Sequence, residues 1–126
     1  MSKQLELADI DSEHFWQQAD ALVAASEIEI DRPQGSAHPH YLAVRYPLDY
    51  GSLGQTTASD GSGIDVWVGR LPECRVTGAI MTIDALKRDA EVKLLISCTR
   101  EEAEKVLAHH NHGTQAGLLL WRGDGR

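Results

Sequence analysis

YPLDYGSLGQTTASDGSGIDVWVG, residues 46–69, falls into parts of opposite character. Residues 51–63 are a Gly/Ser/Thr-rich run with little that can pack. A loop of this length inside a small domain is uncommon and often functional. Ile64, Val66 and Val68 then alternate with Asp65, Trp67 and Gly69, the period-2 signature of a strand. The stretch therefore predicts a polar loop carrying Asp60 and Ser62 that leads into a strand at Asp65.

Working outward, residues 75–84 and 91–97 predict two more strands, and 118–121 a closing one. Glu27 to Ile30 alternates in the same way, and a short strand is expected over 41–46. Pro33, Gly35, Ser36 and Pro39 mark a turn-rich loop between them. Ser12 is placed to cap a helix over 12–25, with Phe15, Ala19, Leu22 and Val23 as its apolar face. Thr99 and Glu102 form a capping box for a second helix over 99–111, with Ala103, Val106, Leu107 and His110 inward and Gly113 at its stop. Several short strands, few helices and no βαβ alternation predict a mainly β, α+β fold built on a small barrel.

The chain has 126 residues, so a single domain over 1–126 is expected, with 1–11 read as a loose leader. Hydrophobic residues make up 42% and charged ones 25%, as in ordinary globular proteins. No apolar run approaches the ~20 residues that span a bilayer, so no membrane partner is expected. The N-terminus lacks the pattern of a secretory signal, and Cys74 and Cys98 have no metal-type spacing. These features predict a cytoplasmic protein with reduced thiols. A net charge of −7 argues against a nucleic-acid partner, whose binding rests on a basic face. It leaves room for a phosphate-bearing ligand, because bound divalent cations invert the local charge.

Residues 46–69 resemble the signature region of the soluble (family I) inorganic pyrophosphatases, which reads Y-P-x-N-Y-G, then Q-T, then D-G-D-P-x-D before an apolar strand. The matching residues are Tyr46, Pro47, Tyr50, Gly51, Gln55, Thr56, Asp60, Gly61 and Asp65. IDRPQGS (30–36) resembles the family's I-E-I-P-K-G-S, Gly78 to Asp84 resembles G-V-x-K-M-x-D, and Glu91-Val92-Lys93 resembles D-x-K. The resemblance implies a distorted five-stranded, OB-like barrel with an N-terminal and a C-terminal helix. At one end of it, carboxylates would hold magnesium, with manganese as an alternative ion. The metals would hold pyrophosphate and activate the attacking water. Magnesium suits carboxylates, water and phosphate oxygens, and phosphoryl transfer asks mainly for positioning and electrostatics.

Carried over by position, the resemblance implies Asp60, Asp65 and Asp84 as metal ligands, and Asp31 in place of the glutamate of I-E-I-P. The last ligand is Asp89 by direct counting or Glu91 by alignment on Lys93. Tyr50 would lie beside the phosphates and Lys93 would contact one. The family's lysine after the G-S turn falls at His40, and Arg45 could stand in for an arginine lost with a missing hairpin. The tyrosine–lysine pair late in the terminal helix falls at His110 and Asn111. Ser62 replaces the middle aspartate, the family's candidate base, and Gly63 replaces the proline. A serine takes no proton at neutral pH, and loss of a general base costs ~10²–10⁴ in rate.

His38-x-His40 and His109-His110-x-His112 invite a zinc reading, but no cysteine pair or H-E-x-x-H accompanies them. Two function classes stay open: a magnesium-dependent hydrolase of pyrophosphate or a related phosphoanhydride, and a non-catalytic descendant that binds a phosphorylated ligand or a protein. Self-association into a homo-oligomer also stays open.

Overall fold

The computed structural model describes residues 12–125; the expected leader, 1–11, lies outside them. Two helices and six strands follow in the order α1 (Glu13–Ala24), β1 (Ile28–Arg32), β2 (Asp49–Leu53), β3 (Asp65–Val68), β4 (Val76–Asp84), β5 (Asp89–Ile96), α2 (Arg100–His109) and β6 (Gln115–Trp121). The strands form one sheet in the order β1-β2-β3-β5-β4-β6. Only β3 and β5 run parallel; every other pair is antiparallel. The fold is thus α+β and mainly β. Its barrel-like sheet is not closed, since β1 and β6 remain as its edges.

Alternation along the strands divides the core between the two faces. Val66, Ala79, Leu94 and Ile96 pack with Trp16, Ala19 and Val23 of α1. Trp67, Ile80 and Leu95 pack with Ala103 and Val106 of α2, together with Tyr46 and Leu48. Trp67 is fully buried at the centre of this second cluster.

The capping box of α2 is complete. Thr99 accepts the Glu102 backbone N–H at 3.1 Å, and the Glu102 carboxylate accepts the Thr99 N–H at 3.0 Å. Thr99→Ala is expected to lower stability by about 1 kcal/mol, read as a shift in the urea midpoint.

Three expectations need correction. Ser12 makes no side-chain cap on α1. The buried face of α1 is Trp16, Ala19 and Val23, whereas Phe15 is 47% exposed and Leu22 37%. One reason for this rotation is Asp20, which accepts the Val76 N–H at 3.0 Å and pairs with Arg122 at 2.8 Å, turning its side of the helix toward the sheet. Residues 41–46 form no strand; only an isolated Ala37–Arg45 bridge crosses the loop, because most of this segment is exposed and has no neighbouring strand to complete a ladder. β2 was not expected at all. It is imposed by partners on both sides, and Gly51 permits it, since a Cβ there would collide with the Glu29 carbonyl of β1.

Candidate active site

Lys93 is the hub. It lies on β5 with Leu95, so it points to the α2 side of the sheet, and it is only 5% exposed. Its ammonium donates to the Asp65 carboxylate at 2.7 Å, to Glu91 at 2.8 Å and to the Tyr50 hydroxyl at 2.9 Å. The register explains the convergence. Val66 pairs with Leu94, which puts Asp65 beside Lys93; Tyr50 pairs with Trp67; Glu91 precedes Lys93 by two on the same face. A buried ion needs pairing and full hydrogen bonding, and all three ammonium donors are used here.

Burial alone would lower the Lys93 pKa. The carboxylates of Asp65 and Glu91, with the Tyr50 oxygen, outweigh that and hold the ammonium above its ordinary range. Burial also holds the Tyr50 hydroxyl above its ordinary range, so it keeps its proton at neutral pH. The Tyr50 oxygen accepts from Lys93, and its own hydrogen faces the Asp65 carboxylate, from which a ligand would have to draw it.

The loop before β3 closes on itself. Thr56 donates to the Leu53 carbonyl at 2.7 Å and accepts the Ile64 N–H at 3.0 Å, pinning both ends. The Ala58 N–H reaches the Ser62 carbonyl at 2.7 Å, and Gly61, at φ +86°, makes the turn inside it. Asp60 accepts the Ser62 N–H at 2.9 Å. Ser62 is exposed at the loop tip.

A groove of about 900 Å³ runs between α1 and the sheet, with Asp60, Asp65 and Glu91 among its walls. The rest of its lining is largely apolar, including Phe15, Leu22 and Val92, so it offers little to a polyanion. The polar chemistry lies at the shared carboxylates and behind them at Lys93.

The remaining candidates are placed differently. Asp84 is buried at the β4–β5 turn, where one oxygen accepts the Leu86 and Lys87 N–H groups at 3.0 and 3.1 Å and the Thr114 hydroxyl at 2.9 Å. The Lys87 and Thr114 hydrogen bonds hold its carboxyl below the usual range. Asp89 pairs with it across the hairpin and is exposed. Asp31 is the exposed extra residue where the β1–β2 register shifts. Arg45 is exposed at the isolated bridge. His40 sits on the loop beside His38, their ring centroids 6.0 Å apart.

Two histidines of the clusters singled out above lie against Tyr46. His38 stacks on Tyr46 with centroids 5.9 Å apart and planes 5° apart, and His109 packs on the same ring at 5.6 Å. Their only sequence signal was membership of the two histidine clusters. His110, by contrast, is core. It is 5% exposed, accepts the Trp67 indole N–H at 3.1 Å and contacts Gln115 at 3.2 Å through its other nitrogen.

No family model matches this sequence, and no curated protein is significantly similar to it. The comparison of folds is decisive. An inorganic pyrophosphatase from Helicobacter pylori superimposes with a TM-score of 0.55 at 15% identity, over 76% of this chain and 82% of that one. One from Neisseria gonorrhoeae does so with a TM-score of 0.52 at 20% identity, over 75% and 81%. The fold is that of the soluble inorganic pyrophosphatases. Within this pyrophosphatase fold, no three or more His, Cys, Asp or Glu among the described residues are arranged to hold a metal ion unaided. The donors do suit one shared with a phosphate. Magnesium is usually held by one or two carboxylates, with water and substrate oxygens completing its shell. Asp65 and Glu91 supply such a pair, already converging on a cation, the Lys93 ammonium. No helix among the described residues is long and apolar enough to cross a membrane.

Proposed function

We propose that this chain is a divalent-metal-dependent phosphoanhydride hydrolase whose substrate is inorganic pyrophosphate. The observation that carries the reading is the Lys93 ammonium, held by Asp65, Glu91 and Tyr50 within a pyrophosphatase fold. Lys93 would turn from its carboxylates to a phosphoryl oxygen, and the Tyr50 hydroxyl would donate to a second. The stems of both are held by packing before the ligand arrives, so only their polar ends have to turn. Asp65 and Glu91, with Asp60 on the same groove, would hold magnesium or manganese, which when bound neutralises phosphate charge and activates water. Asp31, Asp84 and Asp89 fall outside this set: Asp84 is committed to its turn and the other two are exposed. Two unpaired cysteines, one of them exposed, suit a reducing compartment, so the reading places the reaction in the cytoplasm.

The test is phosphate release from pyrophosphate with and without magnesium. Release only with the metal, lost in Asp65→Asn, supports the reading. Ser62→Asp should raise the rate about tenfold. It restores a proton acceptor beside Asp60, but the exposed, proline-free loop positions it poorly, so the gain stays below the usual ~10²–10⁴ of general-base effects. No release from either protein, while pyrophosphate binds both, rejects the enzyme reading for this substrate.

A further inference from the structure

The groove between α1 and the sheet has more apolar wall than pyrophosphate can use. Among the described residues ten large apolar side chains are exposed, and six of them, Phe15, Leu22, Met81, Ile83, Val92 and Leu118, line this one groove. Single exposed apolar residues need no explanation, but a contiguous set rimmed by polar groups marks a binding surface. The register makes this set contiguous. Met81 of β4 pairs with Val92 on one side and with Leu118 on the other, and Ile83 pairs with Ala90 and Ala116. Two apolar rows therefore cross β5, β4 and β6 on one face. Phe15 and Leu22, two turns apart on α1, form the facing wall. They are surplus to the core, which takes Trp16, Ala19 and Val23 from the same helix.

The two ends of the groove differ. Asp60, Asp65 of β3 and Glu91 of β5 line one end, Leu118 of β6 the other, and β4 lies between. Three strand spacings of ~4.8 Å separate β3 from β6, roughly 14 Å, or the extended length of a chain of about ten carbons. A volume of about 900 Å³ is in the range of sites for small organic ligands, which are mostly apolar with a few fixed polar groups. The walls also choose among occupants. Phe15 is the one aromatic ring in the lining and most of the rest is aliphatic, so a nucleobase would leave its hydrogen-bonding groups with few partners. A second copy would have to match a concave surface with itself, and each copy carries −7. The three carboxylates would repel that of a fatty acid, whereas they suit a diphosphate shared with a divalent cation.

We propose that this groove takes the hydrocarbon chain of an alkyl diphosphate, so that the site accepts pyrophosphate esterified at one end with an aliphatic alcohol. This rests on the phosphoanhydride reading above and extends its substrate class. The oxygen of water bonds to the terminal phosphorus and the bridging P–O bond breaks. Alkyl phosphate and inorganic phosphate leave, and one proton passes to solvent. The chain takes no part in that step, so the apolar wall acts on binding alone.

The test is calorimetric titration, in magnesium, with the methyl, hexyl and decyl monoesters of methylenediphosphonate, whose P–C–P bridge is not cleaved. Affinity should rise about twofold per methylene, half the effect of full burial, because an open groove covers only part of the chain. Met81→Gln combined with Leu118→Gln should weaken the decyl ester about tenfold and leave the methyl ester and pyrophosphate hydrolysis unchanged. Both side chains are more than half exposed, so the fold tolerates the change. With decyl diphosphate as substrate, the double variant should show a KM about tenfold higher at unchanged kcat. Equal affinity for the methyl and decyl esters, or a double variant that binds the decyl ester as well as wild type, overturns the proposal and leaves the phosphate reading standing. Equal binding of the decyl ester in magnesium and in EDTA overturns it too, since the chain would then be held without its diphosphate at the carboxylates. A wild-type dimer in sedimentation that the double variant separates makes the groove an interface and overturns it as well. If the methyl ester does not bind and pyrophosphate yields no phosphate with magnesium, the phosphate reading fails and this proposal fails with it.

Discussion

Lys93→Met is expected to lower pyrophosphate hydrolysis by ~10²–10³-fold, the range for removing one preorganised donor to developing charge. The same substitution should tighten manganese binding measured without phosphate. Methionine can follow the buried path of the lysine stem, so packing changes little. What disappears is the cation between Asp65 and Glu91, whose side chains are each only 29% exposed. Two converging carboxylates without a counter-charge repel each other and attract a divalent ion. The variant should therefore melt lower at neutral pH and recover in millimolar manganese. In wild type, a phosphate that draws Lys93 away also frees the carboxylates, so metal and phosphate should each strengthen the other's binding by the same factor. In Lys93→Met that coupling vanishes. Manganese titrations with and without phosphate measure it in both proteins. Weaker manganese binding by the variant, or unchanged hydrolysis, would sink the exchange.

The parts of this molecule that could be read from sequence are those where local rules agree with tertiary ones. The strand at Asp65–Val68 alternates visibly, and Thr99 and Glu102 announce α2 through a hydrogen-bond pair that needs no distant partner. β2 could not be read, because Tyr50, Gly51 and Ser52 carry no apolar alternation and owe their conformation to β1 and β3 on either side. The facing of α1 failed for a related reason. A helical repeat fits Phe15 and Leu22 as well as Trp16 and Val23, and contacts from β4 and Arg122 settle it. At the site, the family resemblance implied Asp65, Tyr50 and Lys93, with Glu91 as the alternative to Asp89, and the fold brings Asp65, Glu91 and Tyr50 onto the Lys93 ammonium. Spacing could not show that Asp84 would be occupied by the N–H groups of its own turn. Nor could it show that His38 and His109, seventy-one positions apart, share the ring of Tyr46.

His110 is expected to make the fold acid-sensitive between pH 6.5 and about 4. An indole nitrogen can only donate, so His110 Nε2 must accept from Trp67 and carry no proton. The proton then sits on Nδ1 and donates to Gln115. A second proton would face the indole N–H inside a buried cluster. Burial, opposed only by the Gln115 contact, pushes the pKa down to about 4. Above pH 6.5 the histidine is neutral in both folded and unfolded chains, and its contribution is fully present. As the pH falls below 6.5 the unfolded chain takes up a proton that the folded one refuses, so stability drops. The drop levels off near pH 4, where the folded histidine is protonated too, after a total loss of roughly 3 kcal/mol. Burial lowers His38 and His109 in the same direction and adds to the slope. His110→Gln separates the contributions, since its amide can accept from Trp67 and donate to Gln115 without titrating. Urea midpoints at half-unit steps from pH 4 to 7 should show the variant losing less stability on acidification than wild type, by about one proton's slope. Parallel curves for the two proteins would mean that the acid sensitivity lies elsewhere.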